Sequence, residues 1–208
     1  MSTRSTKLLA GALAGGVATL VALMARGRLT LDTGWGRTLT PLRSQSLRVA
    51  ASREAVFDYV AAPYLGRVPA AMRDHLEVWE QGEDLVVALH RSTLTGYTAE
   101  TVEAVRFERP SRITFRHLRG PVPHAVESFE LFEDTDGTRL EYRGEVGLDW
   151  WFAGRWAARW WVVPTWDEVV TASLATSKRG IEELAARRRA RTPAPADGVD
   201  QRVATNDA

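Results

Sequence analysis

The 208-residue chain carries a net charge of +1, is 45% hydrophobic and 25% charged, and has no cysteine. That is length enough for one domain with a real core plus an appendage, and it excludes a disulfide scaffold, thiolate metal centres and a cysteine nucleophile. Residues 43–186 hold 17 basic and 22 acidic side chains, so the positive surplus sits at the chain ends, and a nucleic-acid partner, which needs clustered bases on the folded surface, is disfavoured.

The first predicted element is Leu8–Ala25, eighteen residues without a charge, flanked by Arg4 and Lys7 before and Arg26 and Arg28 after. At about 1.5 Å per residue it reaches about 27 Å, so residues 1–27 are read as a single-pass membrane anchor, with a cleaved signal peptide or a buried helix as the alternatives. The basic residues beyond it favour a cytoplasmic domain. Residues 28–42, with Gly34, Gly36 and Pro41, read as a linker.

Ser46–Ala51 is predicted as a short strand. Ser52 then caps a helix over SREAVFDYVAA, ended by Pro63, and RVPAAMRDH suggests a second short helix. Six strand-like runs follow at 75–81, 84–92, 97–108, 112–118, 124–134 and 138–148, separated by turn residues such as Arg109-Pro110-Ser111 and Asp136-Gly137. In the last run Leu140, Tyr142, Val146 and Leu148 share one face while Arg139, Glu141, Arg143 and Glu145 take the other. A one-sided antiparallel sheet needs a cover. The predicted cover is the helix from Trp166 to Arg189, capped by Thr165, with Val169, Val170, Leu174, Ile181 and Leu184 as its apolar stripe. Residues 191–208 have no apolar periodicity and read as a disordered tail.

That element order, with AASREAVFDYVA after the first strand, FERPSRITFR across the central hairpin and FELFEDTDGTRLEYR before the last helix, resembles the START-like (SRPBCC, polyketide cyclase/dehydrase and lipid-transport) superfamily over residues 43–190. The resemblance implies an α+β helix-grip fold: a curved antiparallel sheet of about seven strands wrapped around the C-terminal helix, enclosing a cavity for an apolar ligand. Its motifs mark turns and registers and carry no catalytic signature.

In such a cavity, alternation with Ile113 and Phe115 puts His117 on the inner face, whereas His90 lies off the Leu85, Val87, Leu89 face and is expected to point outward. His117 beside Glu103 or Glu127 is the candidate general base. The pairs Glu100/Glu103 and Glu127/Glu130 otherwise read as solvated edges. No HxH, HExxH, GxSxG or phosphate-cradling glycine loop occurs, so no metal or cofactor is expected.

Six of the eight tryptophans fall between Trp150 and Trp166. On one helix over 149–164, Phe152, Trp156 and Trp160 are spaced i, i+4, i+8 beside Arg155 and Arg159, and Pro164 separates that helix from the next. The expected ligand-lining set is Phe115, His117, Tyr142, Phe152, Trp156 and Trp160. The function expected is a membrane-anchored domain that binds a hydrophobic small molecule or lipid. The alternatives are a cyclase/dehydrase-like enzyme and a tethered protein-interaction module.

Overall fold

The computed structural model describes residues 3–191 except 67, 69–71 and 95. Helix α1 spans Thr3–Ala25, followed by strands β1 (Thr38–Pro41) and β2 (Gln45–Val49) and helix α2 (Arg53–Leu65). Six strands come next: β3 (Leu76–Gln81), β4 (Leu85–Leu94), β5 (Tyr97–Glu108), β6 (Arg112–Arg119), β7 (His124–Asp134) and β8 (Gly137–Leu148). The chain ends in α3 (Trp151–Ala157), a π-helical turn (Ala158–Val162) and α4 (Val163–Arg191).

All eight strands form one antiparallel sheet in the order β1-β8-β7-β6-β5-β4-β3, and β2 also pairs with β8. β1 faces Glu145–Leu148 while β2 faces Thr138–Tyr142, so the two behave as one edge strand interrupted at Leu42. This is the helix-grip architecture expected from the sequence, with one strand more, because Thr38–Pro41 within the stretch read as linker pairs with β8. Inward positions on successive strands follow the two-residue period: Val86 and Ala88, then Val105 and Phe107, then Ile113 and Phe115, then Leu140, Tyr142 and Val146, all buried. Helix α4 lies over this surface through Val170, Leu174 and Ile181, and α2 adds Val56, Phe57, Ala61 and Tyr64. Val169 and Leu184, placed on the same α4 stripe by spacing, remain more than a third exposed.

Several expectations need correction. Ser52 does cap α2, its hydroxyl accepting from the Ala55 N–H, but the helix runs through Pro63 to Leu65. Pro63 lies in the last turn, where its missing N–H interrupts only one bond. Pro164 likewise does not break the chain into two helices. The π-helical turn before it widens the spiral where the proline cannot donate, and the helix passes on without interruption. Thr165 is therefore interior, its hydroxyl donating to the Trp161 carbonyl at 2.9 Å rather than capping. The second short helix, read over 67–75, falls in part outside the described residues, and its described end, Arg73–His75, is a turn; the tail beyond Arg191 lies outside them. Among the described residues, no helix is long and apolar enough to cross a membrane, and the side chains of residues 1–13 lie outside the description.

Candidate active site

Five neighbouring strands each bring a titratable side chain to the cavity under α4: His90 from β4, Glu103 from β5, His117 from β6, Glu127 from β7 and Tyr142 from β8. These residues share parity with the core positions of their strands, so strand alternation drives them inward. Register aligns them further, because Glu103 pairs directly with His117 and Phe115 with Glu127. The register of β5 and β6 shifts between Val102 and Glu103, skipping Leu118, a β-bulge that sets this alignment at the end of the ladder.

The group lines an otherwise largely apolar cavity of about 510 Å³. His117 Nε2 lies 2.9 Å from Glu103 Oε1 and 3.8 Å from Glu127 Oε2. Neither ring nitrogen of His117 has an aligned hydrogen-bond partner among the described residues, so the contact is an ion pair at close range. Burial alone would lower the His117 pKa, but the attraction of Glu103 and Glu127 outweighs it and raises the value to about 9. Burial pushes Glu103 up, while His90 and His117, helped by the Thr101 hydroxyl at 3.1 Å, hold it down to about 2. The resting state is thus an imidazolium beside a carboxylate. The Trp166 ring stands against that imidazolium, with ring centroids 5.2 Å apart.

Glu127 is held differently. Its Oε1 accepts from the Tyr142 hydroxyl and, at 2.8 Å, from Trp166 Nε1. Oε2 accepts no hydrogen bond from the described residues. Burial, followed by the Glu127 charge, raises Tyr142 far above the ordinary phenol range, so it stays a proton donor. His90 bridges the other side of the site, with Nε2 3.3 Å from Glu103 Oε2 and 3.4 Å from the Tyr64 hydroxyl. Burial, then the two carboxylates, keeps that phenol protonated as well.

Of the residues expected from sequence, Phe115, His117 and Tyr142 line the cavity, and Phe152, Trp156 and Trp160 do not. The latter three point to solvent, Phe152 being 82% exposed. The face turned inward is the one carrying Gly154 and Ala158, and Trp161 and Trp166 face the cavity instead. His90 points inward, not outward: β4 is apolar on both parities, and Leu89 is buried on its other face, which hid the orientation. Glu103 and Glu127 are not solvated edges; Glu103 is only 7% exposed. Their signal lay in the sequence, since Glu103 alternates with Val105 and Phe107, and Glu127 with Ala125, Phe129 and Leu131. Tyr64 carried no comparable signal, because a helical tyrosine near a proline is indistinguishable from core.

Glu103, His117 and Glu127 each present a ligand atom within 4.8 Å of the others, so a divalent cation bound here would have two carboxylates and one imidazole. Such an ion competes directly with the imidazolium proton.

No protein-family profile and no curated protein matches the sequence. Solved structures do resemble it. An aromatase/cyclase, ZhuI from Streptomyces sp. R1128, superposes with a TM-score of 0.59 at 17% identity, covering 74% of this chain and 98% of that one. Norcoclaurine synthase from Thalictrum flavum gives 0.55 at 13%, covering 73% and 88%. The di-domain ARO/CYC StfQ of the steffimycin biosynthetic pathway gives 0.54 at 11%, covering 74% of this chain and 53% of that one. At these identities the likeness establishes the fold alone: the domain has the helix-grip fold that these structures share.

Proposed function

We propose that the domain is a cyclase/dehydrase-like enzyme that closes a ring by aldol condensation of an apolar dicarbonyl or polycarbonyl substrate. The observation that carries the reading is the buried His117 imidazolium facing a carboxylate oxygen, Glu127 Oε2, that takes no donor among the described residues, both on the wall of an otherwise largely apolar cavity. The aromatase/cyclase likeness supports the enzyme reading over binding alone. An imidazolium is an acid, so His117 acts first as proton donor, not as the base expected from sequence.

Glu127 Oε2 takes a proton from the carbon next to one substrate carbonyl. The resulting enolate carbon attacks the second carbonyl, whose oxygen receives the His117 proton as the carbon–carbon bond forms. Proton transfer from Glu127 back to the ring resets the pair. In the second half, Glu127 removes another α-proton, the carbon–oxygen bond breaks, and the departing hydroxide takes the His117 proton to leave as water. Glu103 holds the ring and its charge throughout.

The test uses heptane-2,6-dione, whose condensation gives 3-methylcyclohex-2-enone plus water, followed by the ultraviolet absorbance of the conjugated enone. Wild-type protein is expected to accelerate the reaction, and His117→Gln to lower the rate by about a hundredfold or more. A wild-type protein that retains the dione without converting it would show a binding protein instead.

A further inference from the structure

Helix α3 and the π-helical turn present a face of large apolar side chains to water. Phe152, Trp156, Trp160 and Trp161 are all more than half exposed, and Trp150 and Trp151 nearly so. Single exposed rings are ordinary, but a contiguous aromatic face on a water-soluble surface marks a contact site. Arg155 and Arg159 lie among the rings, exposed, and form no salt bridge among the described residues.

The face borders the cavity. Trp161 is 62% exposed yet lines it, so it stands at the rim. Ala25, the last residue of α1, lines the same cavity. From there α1 leads away with Val17, Leu20, Val21 and Leu23 exposed, and the Arg26 carbonyl accepts the Glu100 N–H at 2.9 Å. Two unpartnered apolar surfaces therefore meet at one opening.

The aromatic face is held in place. Trp150 and Trp151 adopt left-handed backbone conformations, with φ of 70° and 46°. Their N–H groups donate to the Trp35 and Gly36 carbonyls at 2.9 and 2.7 Å. Such strain persists only where surrounding contacts enforce it.

We propose that this aromatic rim seats the mouth of the cavity on an anionic lipid bilayer, so that an apolar substrate enters from the membrane rather than from water. The proposal rests on the cavity accepting an apolar guest. Tryptophan with arginine fits the membrane interface, where rings sit among headgroups and guanidinium groups meet lipid phosphates. A second copy fits poorly, because a two-fold contact on this face brings Arg155 and Arg159 of both copies into one interface. No membrane-crossing helix is required.

The test is cosedimentation of the full-length chain with phosphatidylcholine vesicles, with and without phosphatidylglycerol. Lipids brominated on their acyl chains report the depth of tryptophan by quenching. The wild type is expected to bind the anionic vesicles, with its emission quenched. The triple variant Phe152→Ser, Trp156→Ser, Trp160→Ser should bind more than about tenfold more weakly. The double variant Arg155→Glu, Arg159→Glu should lose about fivefold or more per arginine, on anionic vesicles only. Wild-type binding retained in both variants would assign attachment to α1 alone and overturn the proposal. Sedimentation as a dimer without vesicles, abolished by the triple variant, would also overturn it by naming a second copy as the occupant. Should the triple variant fail to fold, the arginine variant still decides. Dione turnover in vesicle-free buffer is read separately, so failure of the catalytic reading and failure of docking remain distinct.

Discussion

Glu103 Oε1 lies 2.9 Å from His117 Nε2, and side-chain exposure is 9% for the acid and 2% for the histidine. A charge pair this deep is costly to desolvate, and it survives because each partner is the other's compensation. Removing one leaves the other only its weaker neighbours: His90 and Thr101 for Glu103, and Glu127 at 3.8 Å for His117. The pair therefore links stability, protonation and chemistry at a single point.

The pH dependence of stability follows from the two shifts. His117 is raised in the folded state, from 6.5 to about 9, so its contribution is complete below 6.5 and is lost as pH rises through 9. Glu103 is lowered, from 4.5 to about 2, so its contribution is complete above 4.5 and is lost as pH falls through 2. The His117–Glu103 pair is common to both shifts and should contribute most between 4.5 and 6.5, with His90 sharing the hold on Glu103 and Glu127 the hold on His117. Urea unfolding at a series of pH values should show about 3 kcal/mol lost on the alkaline side, and His117→Gln should abolish that slope. An unchanged slope in the variant would show that another group titrates.

Turnover should separate Glu127 from its supports. Glu127→Gln removes the proton acceptor and should lower kcat by about a hundredfold or more. Tyr142→Phe leaves the carboxylate with the Trp166 donor at 2.8 Å and should cost about 1 kcal/mol in stability. The phenylalanine variant should also keep most of kcat. Equal losses in the two variants would place the tyrosine hydroxyl in the proton transfer itself.

Asp149 ties the segment before β1 to the start of α3. Its carboxylate accepts from the Thr33 N–H at 2.8 Å, the Thr33 hydroxyl at 2.7 Å, the Gly34 N–H at 3.0 Å and Arg37 Nε at 2.9 Å. Burial opposes its charge, but these donors, Arg37 foremost, hold it down to about 2. Asp149→Ala leaves Arg37 with Asp32 as its remaining partner and strands the Thr33 and Gly34 N–H groups, and should cost about 3 kcal/mol. Thermal unfolding would read the loss, and a change within experimental error would show that the loop re-pairs with water.

Gly34 and Gly36 offer a paired test of strain against clash. Both have positive φ, +64° and +63°. A Cβ at Gly34 meets nothing within 4 Å, so Gly34→Ala should cost only the left-handed backbone penalty, about 1 kcal/mol. At Gly36 the same atom would fall 2.6 Å from the Trp151 ring. Gly36→Ala should cost more, about 2–3 kcal/mol, and should disturb the Trp35–Trp151 edge contact, visible in tryptophan emission. Equal costs would mean that the Trp151 ring moves aside freely.

Much of the fold was legible in residue order. The six runs from 75 to 148 match β3–β8 to within two residues at either end, because alternation and turn residues act locally and the sheet has one wet face. β1 was not legible: TLTP is four residues long and pairs with a strand about a hundred positions away. The tryptophan helix was legible as a helix but not in phase. Spacing groups Phe152, Trp156 and Trp160 on one face but does not say which face is buried; packing buries Gly154 and Ala158, which leaves Trp161 rather than Trp160 at the cavity.

The sequence by itself determined the helix-grip order of elements, the inner face of each alternating strand, and the inward orientation of His117, though not that of His90. Only the tertiary structure decided what His117 is. Its charge depends on Glu103 directly across the ladder and Glu127 on the neighbouring strand at the other side, and on their common removal from water. Pattern reports which way a side chain points, whereas protonation depends on distances between strands, and those exist only once the sheet has curled around α4.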